Sequence, residues 1–514
     1  MTEDSNQQVQ VKSRTEIINF GESIHRDILY YFPVKLVPAI TGLAAILILT
    51  RNLAPEEYGT YSVVMATVLI INQLFGAWLS NAVLYVYPDY KKTNDYEFHI
   101  LVFRLQGFAA VVAIIIGFAA ILQITQNHIL GLIGALIVGS ALFQFLMMTF
   151  MQSSRRVKEQ SISVIAQSVI QLSALCTFLN LMKGKEIAAL SAVLAGYIAC
   201  LLVLSFQTKI TLRNKSVTKN LRAGDIYRNL LNYGLPICIW FFATQFYTIG
   251  DRILIKLIGT GNGLGQYASF RDLAIGCAGF FSMPLLMASH PIIISMWKSG
   301  TEKSAIEQLI NRNLVILTMF FVPIIVAVDL CGTETLTILF GEKYLMDKRI
   351  MMLVIVSIYL GCISMYIQKG LEVTGKTYLM ALCAVITALI SFWGNLVVIP
   401  RFGIFGAAMV AVLVQFLYIL FIRCITINIL NLKIPISLLG KLVLWVIVVE
   451  AVCRALSGLS GEHGLSGGAF WFRIVFIFCS TCVLYFTNKE VYFFYRRLFQ
   501  SLRELLGYSA WNKL

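Results

Sequence analysis

The stretch YTIGDRILIKLIG, Tyr247 to Gly259, sets Asp251, Arg252 and Lys256 among isoleucines and leucines, and SFRDLAIG places Arg271 and Asp272 shortly downstream. Each such charge held in hydrocarbon costs about 2.5 to 3.5 kcal/mol even on a lenient insertion scale, so it needs a partner or a task. Arg252 and Lys256 stand at i and i+4, on one helix face, and make a basic stripe. Two chemistries are open to such a group. Arginine forks match phosphate oxygens in paired hydrogen bonds, so a cluster with net positive charge can hold an anion. Alternatively, Asp251 with Arg271 and Arg252 with Asp272 cancel, lock two helices together and touch no substrate. Lys35 and Arg104, in the first half of the chain, are further cavity candidates, although snorkelling to the membrane interface accounts for both. Glu450 and Arg454, again four apart, are expected to form a local pair.

The elements that must carry these residues are membrane helices. The 514-residue chain is 58% hydrophobic and only 13% charged, with a mean hydropathy of +0.78, the composition of a polytopic membrane protein. From Leu105 to Ser154 no Asp, Glu, Lys or Arg occurs, and only Gln126-Asn127-His128 interrupts the apolar run. At roughly 20 residues per span, that is two helices and a short turn. Residues 1–32 are polar and carry Glu3, Asp4, Lys12, Arg14 and Glu16, so the first helix is expected to insert without a cleaved leader. Fourteen spans are expected near 33–50, 61–87, 100–124, 129–151, 161–182, 186–208, 232–258, 265–296, 309–330, 350–371, 377–399, 404–427, 437–456 and 469–488.

Charge distribution orients them. With both termini cytoplasmic, 29 of the 41 Lys and Arg fall in or near inner loops and tails, 10 fall outside, and 2, Arg252 and Arg271, lie within the membrane. This is the bias of the positive-inside rule, and it accounts for the net charge of +15 without nucleic acid. Asp251 then precedes the outer turn and Arg271 follows it, both roughly 9 to 12 Å deep at 1.5 Å per residue. They can meet across the seventh and eighth helices. In the tail, Tyr495, Leu498, Phe499, Leu502 and Leu506 oppose Arg496, Arg497, Gln500 and Arg503, which reads as an amphipathic helix on the cytoplasmic leaflet. Segment 1–32 reads likewise, with membrane lipids as the partner.

Several motifs fail on context. GLEVTGKT, Gly370 to Thr377, is a full Walker A match, but a phosphate loop needs a strand before it and a soluble α/β domain around it. Here it joins two spans, so no nucleotide is expected. The eleven cysteines fall almost wholly within spans, as small buried hydrophobes, and nothing has zinc-ligand spacing. The five histidines are scattered, and no Ser/His/Asp set or catalytic carboxylate pair can be assembled. Neither an enzyme activity nor a metal or cofactor is expected. A membrane polymerase or glycosyltransferase would also need a larger aqueous domain than these loops supply.

The two halves of the chain repeat. EEYGTY ends in Gly59-Thr60-Tyr61 at the second span and GLGQY in Gly265-Gln266-Tyr267 at the eighth, an offset of 206; the two helices close on Pro88 and Pro291. Duplicated units are common in transporters. The plan is six plus six helices and a final pair: an N-terminal segment 1–32, a lobe 33–208, a basic linker 209–231, a second lobe 232–427, the pair 428–488 and the tail 489–514.

At these residues the chain resembles a family. RNLAPEEYGTYSVV, YPDYKK, NYGLPI, DRILI, GQYASF, LFGEKY, LEVTGKT and IPRFGIFGAAMV, in this order over 33–423, are similar to the bacterial polysaccharide biosynthesis and O-antigen flippases. These belong to the multidrug/oligosaccharidyl-lipid/polysaccharide exporter superfamily. The resemblance implies an alternating-access flippase in the bacterial cytoplasmic membrane. Its substrate would be oligosaccharide linked to undecaprenyl pyrophosphate, moved to the outer leaflet for O-antigen, capsule or exopolysaccharide assembly, with polysaccharide polymerase machinery as a partner. It also implies two lobes around a central cavity, with the last helix pair lining a groove for the lipid tail. Related lipid-linked peptidoglycan precursor flippases carry an arginine in the second helix, where this chain has no Lys or Arg between Tyr61 and Tyr87. The alternative is a drug or small-solute antiporter of the same superfamily, which would favour an acidic, cation-binding lobe.

Overall fold

The computed structural model describes residues 36–90, 95–154, 156–209, 223–259, 263–300, 302–432, 436–459 and 467–487, and among these there is no strand. Lys35, the two amphipathic tails and residues 210–222 of the basic linker lie outside the described residues; the rest of the linker, 209 and 223–231, is helical, in α7 and α8. The helices are α1 (Leu36–Asn52), α2 (Pro55–Asn72), α3 (Trp78–Tyr90), α4 (Asp95–Thr125), α5 (His128–Ser153), α6 (Val157–Leu181), α7 (Lys185–Lys209) and α8 (Ala223–Ile249). They continue as α9 (Asp251–Ile258), α10 (Leu264–Lys298), α11 (Lys303–Phe340), α12 (Lys348–Ile367), α13 (Lys369–Val373), α14 (Thr377–Thr426), α15 (Ile436–Leu459) and α16 (Gly467–Thr487).

Nine helices among the described residues are long and apolar enough to cross a membrane. One of these, α14, is 50 residues long and holds Pro400 and a non-helical Gly403 (φ 56°), so it counts as two spans. The break falls in IPRFG, where the proline cannot donate to the helix ladder and the glycine tolerates a positive φ. The shorter apolar helices Leu36–Asn52, Gly234–Ile249 and Phe470–Phe486, together with α15, complete fourteen. The all-α polytopic fold read from the apolar runs is therefore the fold observed. Its turn at Gln126-Asn127-His128 also has a local cause: Gln126 adopts φ 54°, and the Asn127 carboxamide oxygen caps α5 by accepting from the Ile129 and Leu130 amides at 2.9 and 3.3 Å.

The described residues form two compact units, one drawn from 1–53 with 60–245 and one from 54–59 with 246–514. Between helices in lipid the gain from apolar transfer is largely absent, so close packing and interhelical hydrogen bonds hold such units together. In the first unit, Trp78, Val83 and Tyr87 of α3 pack with Phe98 and Val102 of α4, Phe150 of α5 and Leu230 of α8. The His99 ring stacks on Phe150 at 4.1 Å. A second cluster joins α2, α4, α5 and α7 through Val64, Ala113, Ile137 and Leu190.

Between α2 and α3 the chain makes a π turn, Gln73–Ala77. Such a turn disturbs the i→i−4 ladder. The Leu74 carbonyl here accepts from the Cys238 thiol at 3.3 Å.

In the second unit α15 and α16 pack on α11 through Val326, Cys331, Val449, Cys453, Phe470 and Ile477. Polar ties reinforce this contact. Arg473 donates to the Leu330 carbonyl at 3.2 Å and pairs with Glu334 at 3.3 Å, while the Tyr485 hydroxyl donates to the Met319 carbonyl at 3.0 Å. Arg454 and Glu450 form the local pair that their spacing predicts, at 2.8 Å.

Candidate functional site

The second unit gathers the intramembrane charges singled out above. Gly250 ends α8 and Asp251 opens α9, where its Oδ1 accepts the Arg252 amide at 2.9 Å. Its Oδ2 accepts from the Tyr267 hydroxyl at 2.6 Å and from the Arg271 guanidinium. Tyr267 and Arg271 are one helical turn apart on α10, which is why one carboxylate reaches both. Arg271 also donates to the Tyr267 hydroxyl and to the Thr248 carbonyl, the latter left without a helical partner near the end of α8. Alongside, Arg252 pairs with Asp272 Oδ1 at 2.5 Å, and the other carboxylate oxygen of Asp272 accepts from the Tyr58 hydroxyl at 3.0 Å.

Burial separates the two pairs. The Asp251 and Arg271 side chains are each 4% exposed, whereas in the Arg252–Asp272 pair the arginine is 6% and the carboxylate 25% exposed. A buried charge without a partner is costly, and here two positive and two negative groups cancel within hydrogen-bond distance. The group is net neutral. Its accessible edge is the Asp272 carboxylate. Lys256 stands one turn beyond Arg252 and is exposed. Arg104 lies in the first unit, exposed on α4.

Two tyrosines also belong to this cluster: Tyr267, which in the sequence marks only the register of the repeat, and Tyr58, which no sequence pattern singles out. Tyr58 and Tyr267 are fully buried and hold one carboxylate each. For Tyr267 the i, i+4 spacing to Arg271 was a usable signal; for Tyr58, 214 residues from Asp272, none was. Tyr58 also meets Tyr344 edge-on at 6.1 Å, and Gln266 donates to the Lys343 carbonyl at 3.4 Å. Burial, with Glu57 and Glu56 adding to it, pushes the Tyr344 phenol well above its ordinary value, so it stays neutral. Four separate sequence stretches, EEYGTY, DRILI, GQYASF and LFGEKY, thus converge on one place.

A second polar cluster was not anticipated. Lys369, 4% exposed, donates to Glu372 and to His290 Nδ1, the latter at 2.9 Å, which leaves the His290 proton on Nε2. The Gln368 amide also bonds Glu372 at 2.9 Å and takes the Tyr418 hydroxyl at 3.1 Å. Beside His290, the last turns of α10 border an open cavity of about 640 Å³ with Ser295, Lys298 and Ser299. Lys369 and His290 are 79 residues apart, a pairing that no local pattern reveals.

The Walker-like stretch is embedded here. Gly370 lies in α13, Gly375 makes the turn with φ 71°, and Thr377 opens α14, so helices rather than a strand flank it. Lys376→Ala is expected to leave transport within about twofold of wild type, since exposed substitutions away from buried networks shift free energies by less than about 0.5 kcal/mol. Loss of activity at normal protein level, or binding of a fluorescent nucleotide, would overturn that expectation. Among the described residues no group of three or more His, Cys, Asp or Glu is placed to hold a metal ion.

Two solved structures share the fold. A lipid II flippase MurJ in an inward closed conformation superposes with a TM-score of 0.69 at 14% identity, over 92% of this chain and 100% of that one. An outward-facing multidrug resistance transporter of the MATE family superposes with a TM-score of 0.53 at 13% identity, over 77% and 96%. The chain thus shares the fold of these two transporters.

It belongs to the polysaccharide biosynthesis protein family, whose model matches residues 24–297, more than half of the chain. It is similar to a probable low-salt glycan biosynthesis flippase, Agl15, of Haloferax volcanii, 24% identical over 187 residues that make up 36% of this chain and 39% of that protein. An uncharacterised membrane protein of Methanocaldococcus jannaschii is 25% identical over 205 residues, 38% of each chain. The chain therefore matches about two fifths of the length of these curated relatives.

Proposed function

We propose that this protein is a flippase for lipid-linked oligosaccharide, carrying undecaprenyl-pyrophosphate-linked glycan from the inner to the outer leaflet of the bacterial cytoplasmic membrane by alternating access. Membership of the polysaccharide biosynthesis family over 24–297 carries this reading, and the likeness to a probable glycan biosynthesis flippase supports it. The product would feed O-antigen, capsule or exopolysaccharide assembly, in company with the polymerase. The chain does no covalent chemistry in this scheme.

With the cell interior negative, moving two negative charges outward gains about 4.6 kcal/mol per 100 mV, which favours export. Of the charged group, the Arg252–Asp272 pair is the one offered to the carrier, because it is the less buried of the two and Arg252 can exchange the Asp272 carboxylate for a pyrophosphate oxygen, while Asp251 and Arg271 hold α9 to α10. Lys256, and Lys35 and Arg104 from the first half, are secondary contacts for the same anion. Lobes at 33–208 and 232–427, a lipid-tail groove on the pair within 428–488, and cytoplasmic termini complete the proposal.

The experiment is deletion followed by leaflet-resolved analysis of lipid-linked oligosaccharide. Accumulation on the inner leaflet, with loss of surface polymer, is expected; an unchanged glycolipid pool with altered drug resistance would favour the antiporter. For orientation, reporter fusions should place Gly261 and Gly461 outside and Lys215 inside. A cytoplasmic Gly261 would reverse the whole topology.

A further inference from the structure

Every charged side chain buried among the described residues, Asp251, Arg252, Arg271 and Lys369, belongs to the second unit. The first unit buries only neutral polar groups among its described residues; one of them, Ser168, lines a cleft beside the partly buried Thr41, Gln167 and Gln171. A cavity of about 140 Å³ opens between α1 and α6. Thr41 and Gly42 of α1 face Gln167, Ser168, Gln171 and Leu172 of α6 across it. Both walls follow helical spacing: on α6 the polar members stand at i, i+1 and i+4, one continuous face. Behind this face, the Gln144 amide donates to Gln167 Oε1 and to the Cys200 sulfur, the latter at 3.3 Å. That bond occupies the Gln167 carbonyl and turns its NH₂ group to other partners.

The chemistry of the lining selects its ligand. Carboxamides and hydroxyls supply donors and acceptors together and no charge. The Thr41 hydroxyl, already donating to the Val37 carbonyl at 2.9 Å, offers lone pairs. A phosphate would call for donors alone, a cation for acceptors alone, and an acyl chain for neither. A pyranose ring has hydroxyls that both give and accept, and a C–H face that suits a wall such as Leu172. Gly42 leaves the cleft open, because a Cβ there would meet nothing within 4 Å.

We infer that the cleft between α1 and α6 is a sugar-hydroxyl-binding site that reads the glycan part of the cargo. This rests on the flippase reading and adds to it a division of labour, with neutral recognition of sugar in the first unit. Polar side chains within spans are expensive and are kept mainly where they line a substrate path or tie helices.

The test uses full-length protein in liposomes and two probes: the undecaprenyl-pyrophosphate oligosaccharide extracted from the host, and the same carrier trimmed to its first sugar. Wild-type protein is expected to move the full glycolipid in preference to the trimmed one. Gly42→Leu fills the cleft without meeting another atom at Cβ and replaces a helix-interior glycine, so it should fold at least as well as wild type. It should lower the preference at least tenfold, and Gln171→Leu should do the same. Should one variant fail to fold, the other decides.

Preference unchanged in a folded variant means a cleft holding only water and overturns the inference. Equal slowing of both probes means a structural role and overturns it too. A wild-type protein that moves neither probe overturns the flippase reading itself, a result distinct from the other two.

Discussion

Arg271→Ala should destabilise the protein by about 3 to 5 kcal/mol, the penalty for leaving a buried carboxylate without its counter-charge. Asp251 would keep only the Tyr267 hydroxyl and the Arg252 amide, neither of which supplies charge. In Asp251→Ala/Arg271→Ala the orphaned charge is gone, and most of the loss should return. Thermal unfolding in detergent measures the first quantity, and polymer export in cells measures the second. If Asp251 and Arg271 serve to hold α9 to α10, export should recover with stability in the double variant. A stable double variant that remains inactive would instead put Arg271 on the substrate path. Arg252→Ala/Asp272→Ala should behave in the opposite way, stable yet impaired, because the double change removes the guanidinium of the less buried pair that would meet the carrier phosphate. Lys at Arg252 should rescue export only partly, since it lacks the planar fork.

Gly265→Ala is expected to be at least as damaging, by a different route. A Cβ at Gly265 would lie 1.8 Å from the Pro55 carbonyl oxygen and 2.5 Å from its carbon, both rigid backbone atoms. The segment at 54–59 would have to move, and Tyr58 would leave Asp272. Overpacking of this kind costs about 3 kcal/mol or more when nothing flexible can yield. Gly59→Ala is the matched control: its Cβ would meet Gly265 N and Leu264 Cγ at 3.3 Å, a contact that small shifts relieve, so about 1 kcal/mol is expected. Thermal midpoints of the two variants should rank in that order. Equal midpoints would mean that the close approach of Pro55 to Gly265 does not matter to stability.

The sequence disclosed the spans because apolar length is a one-dimensional property: the interruption at Gln126-Asn127-His128 and the break in IPRFG are visible without tertiary information. Ion pairing of Asp251 with Arg271 and of Arg252 with Asp272 was visible too, since equal depth on consecutive helices follows from counting residues. What counting cannot supply is which neutral groups complete the pairs. Tyr58 reaches Asp272, and Lys369 reaches His290, through helix packing alone. The glutamines at 167 and 171 and the serine at 168 stood in plain view as one polar face, but neutral amides in a span carry no mark that separates a ligand site from a tie between helices.

The π turn at Gln73–Ala77 has a consequence for comparing this chain with its relatives. A π turn spends one residue more than an α-helical turn, and at 3.6 residues per turn one residue is about 100° of rotation. Two homologous second spans that differ by that residue would keep almost the same length and hydropathy while presenting different faces beyond position 77. An ungapped alignment would then equate a buried position with one facing lipid. Residue roles can be carried across this helix only if a single-residue gap is allowed at 73–77, which makes the presence or absence of that residue a heritable switch of helix face.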